Sequence, residues 1–414
     1  MLTAGDVPLL PIHILAPIKD EEKPVAGSIA RELVERLVEI GATITPDNAM
    51  KSSISRARAH QYVNLHITGL VMQDMVKENG AKLLLHTLTC DTIVEDNAVK
   101  GIIIENKSGR QAVLAHTVID ATGDGDVAAR GGAEFEQTRG AAVLPATLIW
   151  RMGNVDIEKY QEYLKTDPGL KKLLQEKLKE LPDYVTEMKE VLPSEDSPGT
   201  GVPQEFKLRI GYRELPQLLC SQKYSHYLRT GEVDVKMGNV WAVDVTNAKE
   251  LSDAEVLARR KCKEITKFLK NNVPGFENSH LAVIATQLGV RESRRIIGEY
   301  VLTEDDVENG AKFDDIIARS RTGDKLHGRD GWTRAPFEIP YRCLVPKKLD
   351  GLLVAGRCIS QTHGAVRRWS PRDILTCMAT GTAAGTAAAL AAKNKIAVRN
   401  VDVKEVQNGL NLSL

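Results

Sequence analysis

A chain of 414 residues is long enough for two or three domains at roughly 100–200 residues each. Its 55 basic and 55 acidic residues cancel, so no global field selects nucleic acid or an anionic membrane as a partner. Cys90, Cys220, Cys262, Cys343, Cys358 and Cys377 include no C-x-x-C pair, which argues for thiols in a reducing cytoplasm and against a metal knuckle, an iron–sulfur ligand set or a disulfide frame.

The N-terminus carries Asp6, Pro8 and Pro11 rather than the basic start and apolar core of a signal peptide. From Gly27 to Ile40 the spacing predicts an amphipathic helix, with Ile29, Leu33, Leu37 and Ile40 on one face and Gly41 as its stop. His60 to Asn79 repeats the pattern and Gly80 the stop. Short strands are then expected over Lys82–Cys90, Thr92–Val94, Val99–Glu105 and Ala112–Ala121, separated by Glu95-Asp96-Asn97 and Asn106-Lys107-Ser108-Gly109 turns.

The run Val118-Ile119-Asp120-Ala121-Thr122-Gly123-Asp124-Gly125-Asp126 is the most informative. It reads as a buried parallel strand ending in an acid, followed by a glycine turn whose backbone can approach a ligand. Gly123, Gly125 and Ala128 satisfy G-x-G-x-x-A. The helix after them would be only Asp126 to Arg130, however, and no strand with a terminal acid follows at about 20 residues, so a self-sufficient nucleotide fingerprint competes with a tight turn that binds nothing.

In the middle, Asp156 to Glu190 is dense in lysine and glutamate at helical spacing, and Pro193 to Pro203 reads as a surface loop. Phe206–Tyr212 and Val233–Val245 read as strands. Asp253–Leu269 reads as a helix capped by Ser252 in a capping box with Glu255. Trp241, Asp244 and His327 are candidates for lining a pocket, although a strand tryptophan also serves as core. A second, mixed unit over residues 146–335 follows, set into a discontinuous one of 1–145 and 336–414.

Near the C-terminus, Leu352–Ala355 is a short strand ending in Gly356-Arg357, and Ser370-Pro371-Arg372-Asp373 has the composition of a helix start. The helix it launches is built of small residues. Gly381 and Gly385, flanked by Ala379, Ala383, Ala384 and Ala387, suit it to press against a sheet or a flat ligand. The apolar run Ile374–Ala392 has the length of a membrane span, but its alanine, threonine and glycine favour burial inside a protein.

Taken together, Leu2-Thr3-Ala4-Gly5, Leu83 to Thr87, Val118 to Asp126, Leu288 to Arg295, Leu353 to Ser360 and Gly381-Thr382-Ala383-Ala384-Gly385 resemble, in order and spacing, the FAD-dependent oxidoreductases of the glutathione-reductase-like FAD/NAD(P)-binding fold. The particular resemblance is to the bacterial group with a "VIDATGDGD" segment and an "aGR-x-IS" C-terminal segment. It implies an α/β fold, with a Rossmann-like FAD-binding domain and an inserted α+β substrate domain.

The resemblance also implies FAD as cofactor. Ala121, Thr122, Gly123 and Asp124 would lie beside the dinucleotide, Gly356 and Arg357 near its ribityl and pyrophosphate, and the helix bearing Ala379 and Gly381 would point its N-terminus at the flavin. Thr3 and Gly5 would lie in a loop after the flavin-binding crossover, and Thr89 would offer backbone contacts to adenine. Members of the group open with a strand, a G-x-G-x-x-G turn and a second strand within about 30 residues. This sequence starts where that unit should have finished, so a missing N-terminal strand-turn-helix, from truncation or a mis-start, is expected.

For catalysis, His363 is a candidate proton donor or acceptor, with a purely structural histidine as the competing reading. Arg291, Arg294 and Arg295 form a cluster in which 291 and 295 share a face if the segment is helical. Recognition of an anionic substrate competes there with ion pairing to Glu292 and Glu299. The expected activity is hydride transfer between a small organic substrate and flavin. The alternatives are a non-catalytic or split-enzyme fragment that does not hold FAD tightly, and a nicotinamide enzyme using Gly123 and Gly125. A cytoplasmic protein is expected, with a small-molecule substrate and neither nucleic acid nor membrane as partner; homo-oligomer formation is left open.

Overall fold

A computed structural model of the chain describes residues 10–13, 28–43, 60–63, 65–166, 231–320, 337–369 and 371–410. In chain order the elements are β1 (Leu10–His13), α1 (Ser28–Glu39), β2 (His60–Val63), α2 (Leu65–Glu78), β3 (Leu88–Glu95), β4 (Ala98–Asn106), β5 (Gly109–Leu114), β6 (Val118–Asp120) and α3 (Asp126–Arg130). There follow β7 (Phe135–Gln137), β8 (Ala146–Gly153), α4 (Ile157–Thr166), β9 (Val233–Val240), α5 (Ala248–Asn272), β10 (His280–Ile284), β11 (Arg294–Ile296), α6 (Glu304–Asn309) and β12 (Ile316–Ser320). The last are β13 (Phe337–Pro340), β14 (Leu352–Val354), α7 (His363–Trp369), α8 (Ile374–Asn394) and α9 (Val403–Gly409).

Helix α1 buries Ala30, Leu33, Val34 and Leu37, and it ends as its glycine predicts. Gly41 takes φ +70, its N–H donates to the Val38 carbonyl, and the Ala42 N–H donates to Leu37, closing a Schellman motif. The second stretch differs from expectation. His60–Val63 is a strand paired antiparallel with Leu10–His13, and only Leu65 onward is helical. Such a distant ladder partner cannot be seen in local periodicity.

The meander also rearranges. Leu88–Glu95 is one strand rather than two, and residues 81–87, expected to begin it, form no strand; among the described residues no strand pairs with them, and Leu83, Leu84 and Leu85 are exposed. The apolar run Ala112–Ala121 splits in two. β5 closes an antiparallel sheet on β4, while β6 pairs parallel with β14, Leu352, Leu353 and Val354 opposite Val118, Ile119 and Asp120. A continuous apolar run specifies burial but not which sheet receives it.

Three other expectations are corrected. β9 stops at Val240, and Ala242 at φ +56 leaves Trp241 beyond the strand. α5 begins at Asn247, whose side chain accepts from the Lys249 and Glu250 N–H groups; Ser252 sits inside the helix and donates to the Ala248 carbonyl at 2.7 Å. Ala248 to Leu251 are helix formers, so the helix extends back to the earlier cap. α8 starts at Ile374 with Asp373 as N-cap, so Pro371 precedes the helix instead of occupying its first turn. Ser370, Pro193–Pro203 and Phe206–Tyr212 lie outside the described residues, as does everything in Asp156–Glu190 beyond Thr166.

Among the described residues there are three apolar clusters, the smallest joining Leu33 and Leu37 of α1, Val71 of α2 and Leu375 of α8; the two larger ones gather most of the other elements. One gathers β6, β14, α3, β12, β13 and the alanines Ala379, Ala383, Ala384, Ala387 and Ala391 of α8. The other packs Leu148, Trp150 and Met152 of β8 and Val233 and Val235 of β9 under Ala258, Cys262, Ile265 and Leu269 of α5. Full burial of side chains of this size stabilises by about 1.5–3 kcal/mol each. Residues 294–320 join the first cluster through Ile296, Leu302, Val307 and Ile317. Among the described residues α8 is the one helix long and apolar enough to cross a membrane, and its alanine face is packed inside the protein.

Candidate functional site

The carboxylate of Asp120, fully buried at the end of β6, holds the glycine turn in shape. Its Oδ1 accepts from the Thr122 N–H at 3.0 Å and the Thr122 hydroxyl at 2.6 Å, and its Oδ2 accepts from the Ala128 N–H of α3 at 2.9 Å. One side chain thus ties strand, turn and helix together, satisfying donors that the tight turn would otherwise bury unpaired. Gly125 caps α3 at φ +64, and a Cβ there would stand 2.8 Å from Ile296 Cδ1, so glycine is required twice over.

The C-terminal motif faces this turn. After β14, Gly356 donates its N–H to the Thr380 hydroxyl of α8 at 3.1 Å. Arg357 reaches across, its Nη2 2.5 Å from Asp124 Oδ1 and its Nη1 donating to the Val290 carbonyl at 2.9 Å. The guanidinium lies over Gly123, where φ is +80 and a Cβ would come within 3.2 Å of Arg357 Cζ. Ser293 donates to the same Asp124 oxygen at 2.5 Å. The two motifs therefore form one surface, joined by Arg357 and Asp124.

Beside that surface lies a buried polar cluster. Glu292, with only 1% of its side chain exposed, accepts from Arg295 Nη1 at 2.5 Å, the Thr138 hydroxyl at 2.8 Å and His363 Nδ1 at 2.7 Å, all on Oε1. Burial works against the carboxylate, but hydrogen bonds and charge from His363, Arg295 and Thr138 outweigh it and hold Glu292 below the ordinary value of 4.5. The other ring nitrogen of His363, Nε2, is buried with no hydrogen-bond partner.

The arginine segment is extended, not helical. β11 pairs antiparallel with β7, so successive arginines point to opposite sides and no helical face unites Arg291 with Arg295. Arg294 donates to Asp126 Oδ1 at 2.9 Å and to the Asp124 carbonyl, and stacks 5.5 Å from the Phe135 ring centre. Arg295 is buried against Glu292. Glu299 pairs with Arg399 and with none of the three arginines. Arg291 stands beside Arg372: burial first, then the Arg291 guanidinium, pushes Arg372 down to about 10. Arg372 Nε is buried without a partner.

Of the remaining expected residues, Ala121 and Thr122 lie exposed on the turn, and Thr89 sits on β3 opposite Ile104. Ala379 is turned into the core, whereas no protein atom lies within 4 Å of where a Cβ on Gly381 would stand. Asp244 is occupied by Thr246 and Gln137, Trp241 is half-buried, and Thr3, Gly5 and His327 fall outside the described residues. Burial pushes Cys377 up to about 12 and raises Cys358 too, so both are thiols near neutral pH. Thr138, Ser293 and Gln361 carry no sequence signal that marks them as part of this cluster; only the fold brings them in. A separate cavity of about 560 Å³ is lined by Lys312, Asp315, Arg342, Glu299 and Arg399, whose charges are paired among themselves or with Glu338 and Asp350.

A parallel strand pair carrying a glycine turn on one strand and a Gly-Arg turn on the other defines an α/β protein of the dinucleotide-binding class. The family model described as FAD dependent oxidoreductase matches residues 2–410, and the chain belongs to that family: it is an α/β FAD/NAD(P)-binding, Rossmann-like flavoprotein oxidoreductase with FAD as its cofactor. No curated protein matches the sequence significantly.

Among solved structures, the chain is similar to a triple mutant of the flavin-dependent brominase Bmp2, at 10% identity and TM-score 0.38, over 93% of this chain and 72% of that one. It is similar to a geranylgeranyl bacteriochlorophyll reductase-like protein from Thermoplasma acidophilum, at 14% identity and TM-score 0.35, over 86% and 60%. A third is p-nitrophenol 4-monooxygenase PnpA from Pseudomonas putida, at 10% identity and TM-score 0.35, over 97% and 68%.

The side chains present suit such a cofactor. Arg357 Nε, Arg372 Nε and His363 Nε2 are buried polar atoms awaiting partners, and FAD offers phosphate and carbonyl oxygens and ring nitrogens. The face at Gly381, with no protein atom within 4 Å of a Cβ there, is open to a flat group, and at Gly356 a Cβ would meet only Cys377 at 3.8 Å, whereas Gly123 is covered by the Arg357 guanidinium.

Proposed function

We propose that this chain transfers a hydride between a small anionic organic substrate and FAD. The observation that carries the reading is the presence of three buried polar atoms without a hydrogen-bond partner, Arg357 Nε next to Gly123, Arg372 Nε and His363 Nε2. FAD, when bound, supplies the acceptor for the hydride.

The chain's residues do the rest. Gly123, Asp124, Gly356, Arg357 and Gly381 form the wall for the cofactor, and Ala121 and Thr122 its rim. Arg291 and Arg372, two cations held close in a sheltered place, hold a substrate carboxylate or phosphate. Arg294 supports the turn through Asp126. His363 Nε2 exchanges the proton that accompanies hydride movement. Residues 1–145 and 336–414 form the cofactor unit and 146–335 the substrate unit; the separate core under α5 supports this for residues 146–288, while 294–320 pack into the core of the cofactor unit. The site belongs to a cytoplasmic protein.

Anaerobic mixing of the FAD-loaded protein with a panel of 2-hydroxy and 2-amino carboxylates tests the reading. Bleaching of the flavin by one of them is expected, with Arg291→Ala and Arg372→Ala raising the concentration needed at least about tenfold. Equal bleaching by uncharged analogues would remove the anionic substrate.

A further inference from the structure

The cluster around Glu292 does more than neutralise an arginine. We propose that Glu292 is the positioning residue for His363: it fixes the proton on Nδ1 and so leaves Nε2 as the atom that exchanges protons with substrate, a role resting on the proton-carrier reading of His363.

Glu292 Oε1 lies 2.7 Å from His363 Nδ1, and a carboxylate only accepts. The carboxyl is held below its ordinary range, so it is ionised near neutral pH and Nδ1 must carry hydrogen to meet it. Thr138 offers no escape. Its hydroxyl accepts from Arg295 at 3.1 Å and donates to Glu292 at 2.8 Å, so its proton is not directed at Nδ1. Arg295, itself buried and also bonded to the Gln361 carbonyl at 3.1 Å, keeps Glu292 from turning away.

In neutral imidazole one nitrogen holds the hydrogen and the other a lone pair. With Nδ1–H fixed, the lone pair resides on Nε2, which has no protein partner. When Nε2 takes a proton from a substrate O–H or N–H, the bond to that hydrogen breaks and its electron pair stays on the substrate. The ring becomes imidazolium, and its charge faces Glu292. The proton then leaves Nε2 to solvent, restoring the starting tautomer. Reversed, the same geometry donates the proton.

The test uses the FAD-loaded full chain labelled with 15N-histidine, with His363→Asn to assign the ring signals. Long-range proton–nitrogen spectra, recorded at a pH above the ring's titration, are expected to show His363 as the Nδ1–H tautomer. In Glu292→Gln the carboxamide can donate, and the population is expected to move toward Nε2–H. The limiting rate of flavin reduction should fall about 100-fold or more with KM little changed, and Glu292→Asp should restore part of it. Nε2–H in the wild-type protein, a measurement that does not need Glu292→Gln to fold, overturns the proposal, as does an unmoved tautomer in a folded Glu292→Gln protein. Full activity of His363→Asn instead overturns the proton-carrier reading, whatever the tautomer.

Discussion

Asp120 is the residue on which the glycine turn depends, because its two oxygens, at the end of the strand, serve three donors drawn from turn and helix. Asp120→Asn keeps the shape but turns an N–H toward one of those donors. It should lower the unfolding free energy by about 1–3 kcal/mol in urea titration and lower FAD retention with it. An unchanged midpoint would show that the turn holds without the carboxylate. Glu292 gives a pH signature. Its carboxyl lies below 4.5 in the folded chain, so the stability it contributes is fully present above the unfolded value and is lost as pH falls through the lower folded one. The urea midpoint of Glu292→Gln should lie well below wild type at pH 7, and the gap should narrow below about pH 4. A gap that widens on acidification would reverse the assigned direction.

At the scale of elements, the N-cap of α5 separates a sequence expectation from the fold. Asn247→Ala should cost about 1 kcal/mol in thermal or urea unfolding, because two backbone donors lose their acceptor, while Ser252→Ala should change stability by little. The opposite order would return the helix start to Ser252. Elements whose signals are local were legible. α1 with Gly41, the five-residue α3 between Gly125 and Gly131, and β14 before Gly356 all follow from spacing and glycine. What escaped depends on distant partners: the β1–β2 ladder, the split of Ala112–Ala121 between two sheets, and the extended arginine segment that pairs with β7. The site divides in the same way. Gly123, Gly356 and Arg357 announce themselves in motifs, whereas Thr138 joins Glu292 from 154 residues away and nothing near it in sequence marks it.

For the whole molecule, one core carries the glycine turns and the alanine helix, and a second gathers β8, β9 and α5. In the proposed function, Arg357, Gly123 and Gly381 of the first core contribute to holding FAD. The direct test is the absorption spectrum of folded protein incubated with FAD and desalted, wild type beside Arg357→Ala, with Asn247→Ala as a control distant in role. A stoichiometric flavin band is expected in the wild type and the control, and a band at least about tenfold weaker in Arg357→Ala at limiting FAD. Wild-type protein that is folded yet stays colourless, or Arg357→Ala that retains FAD as the wild type does, would contradict this reading.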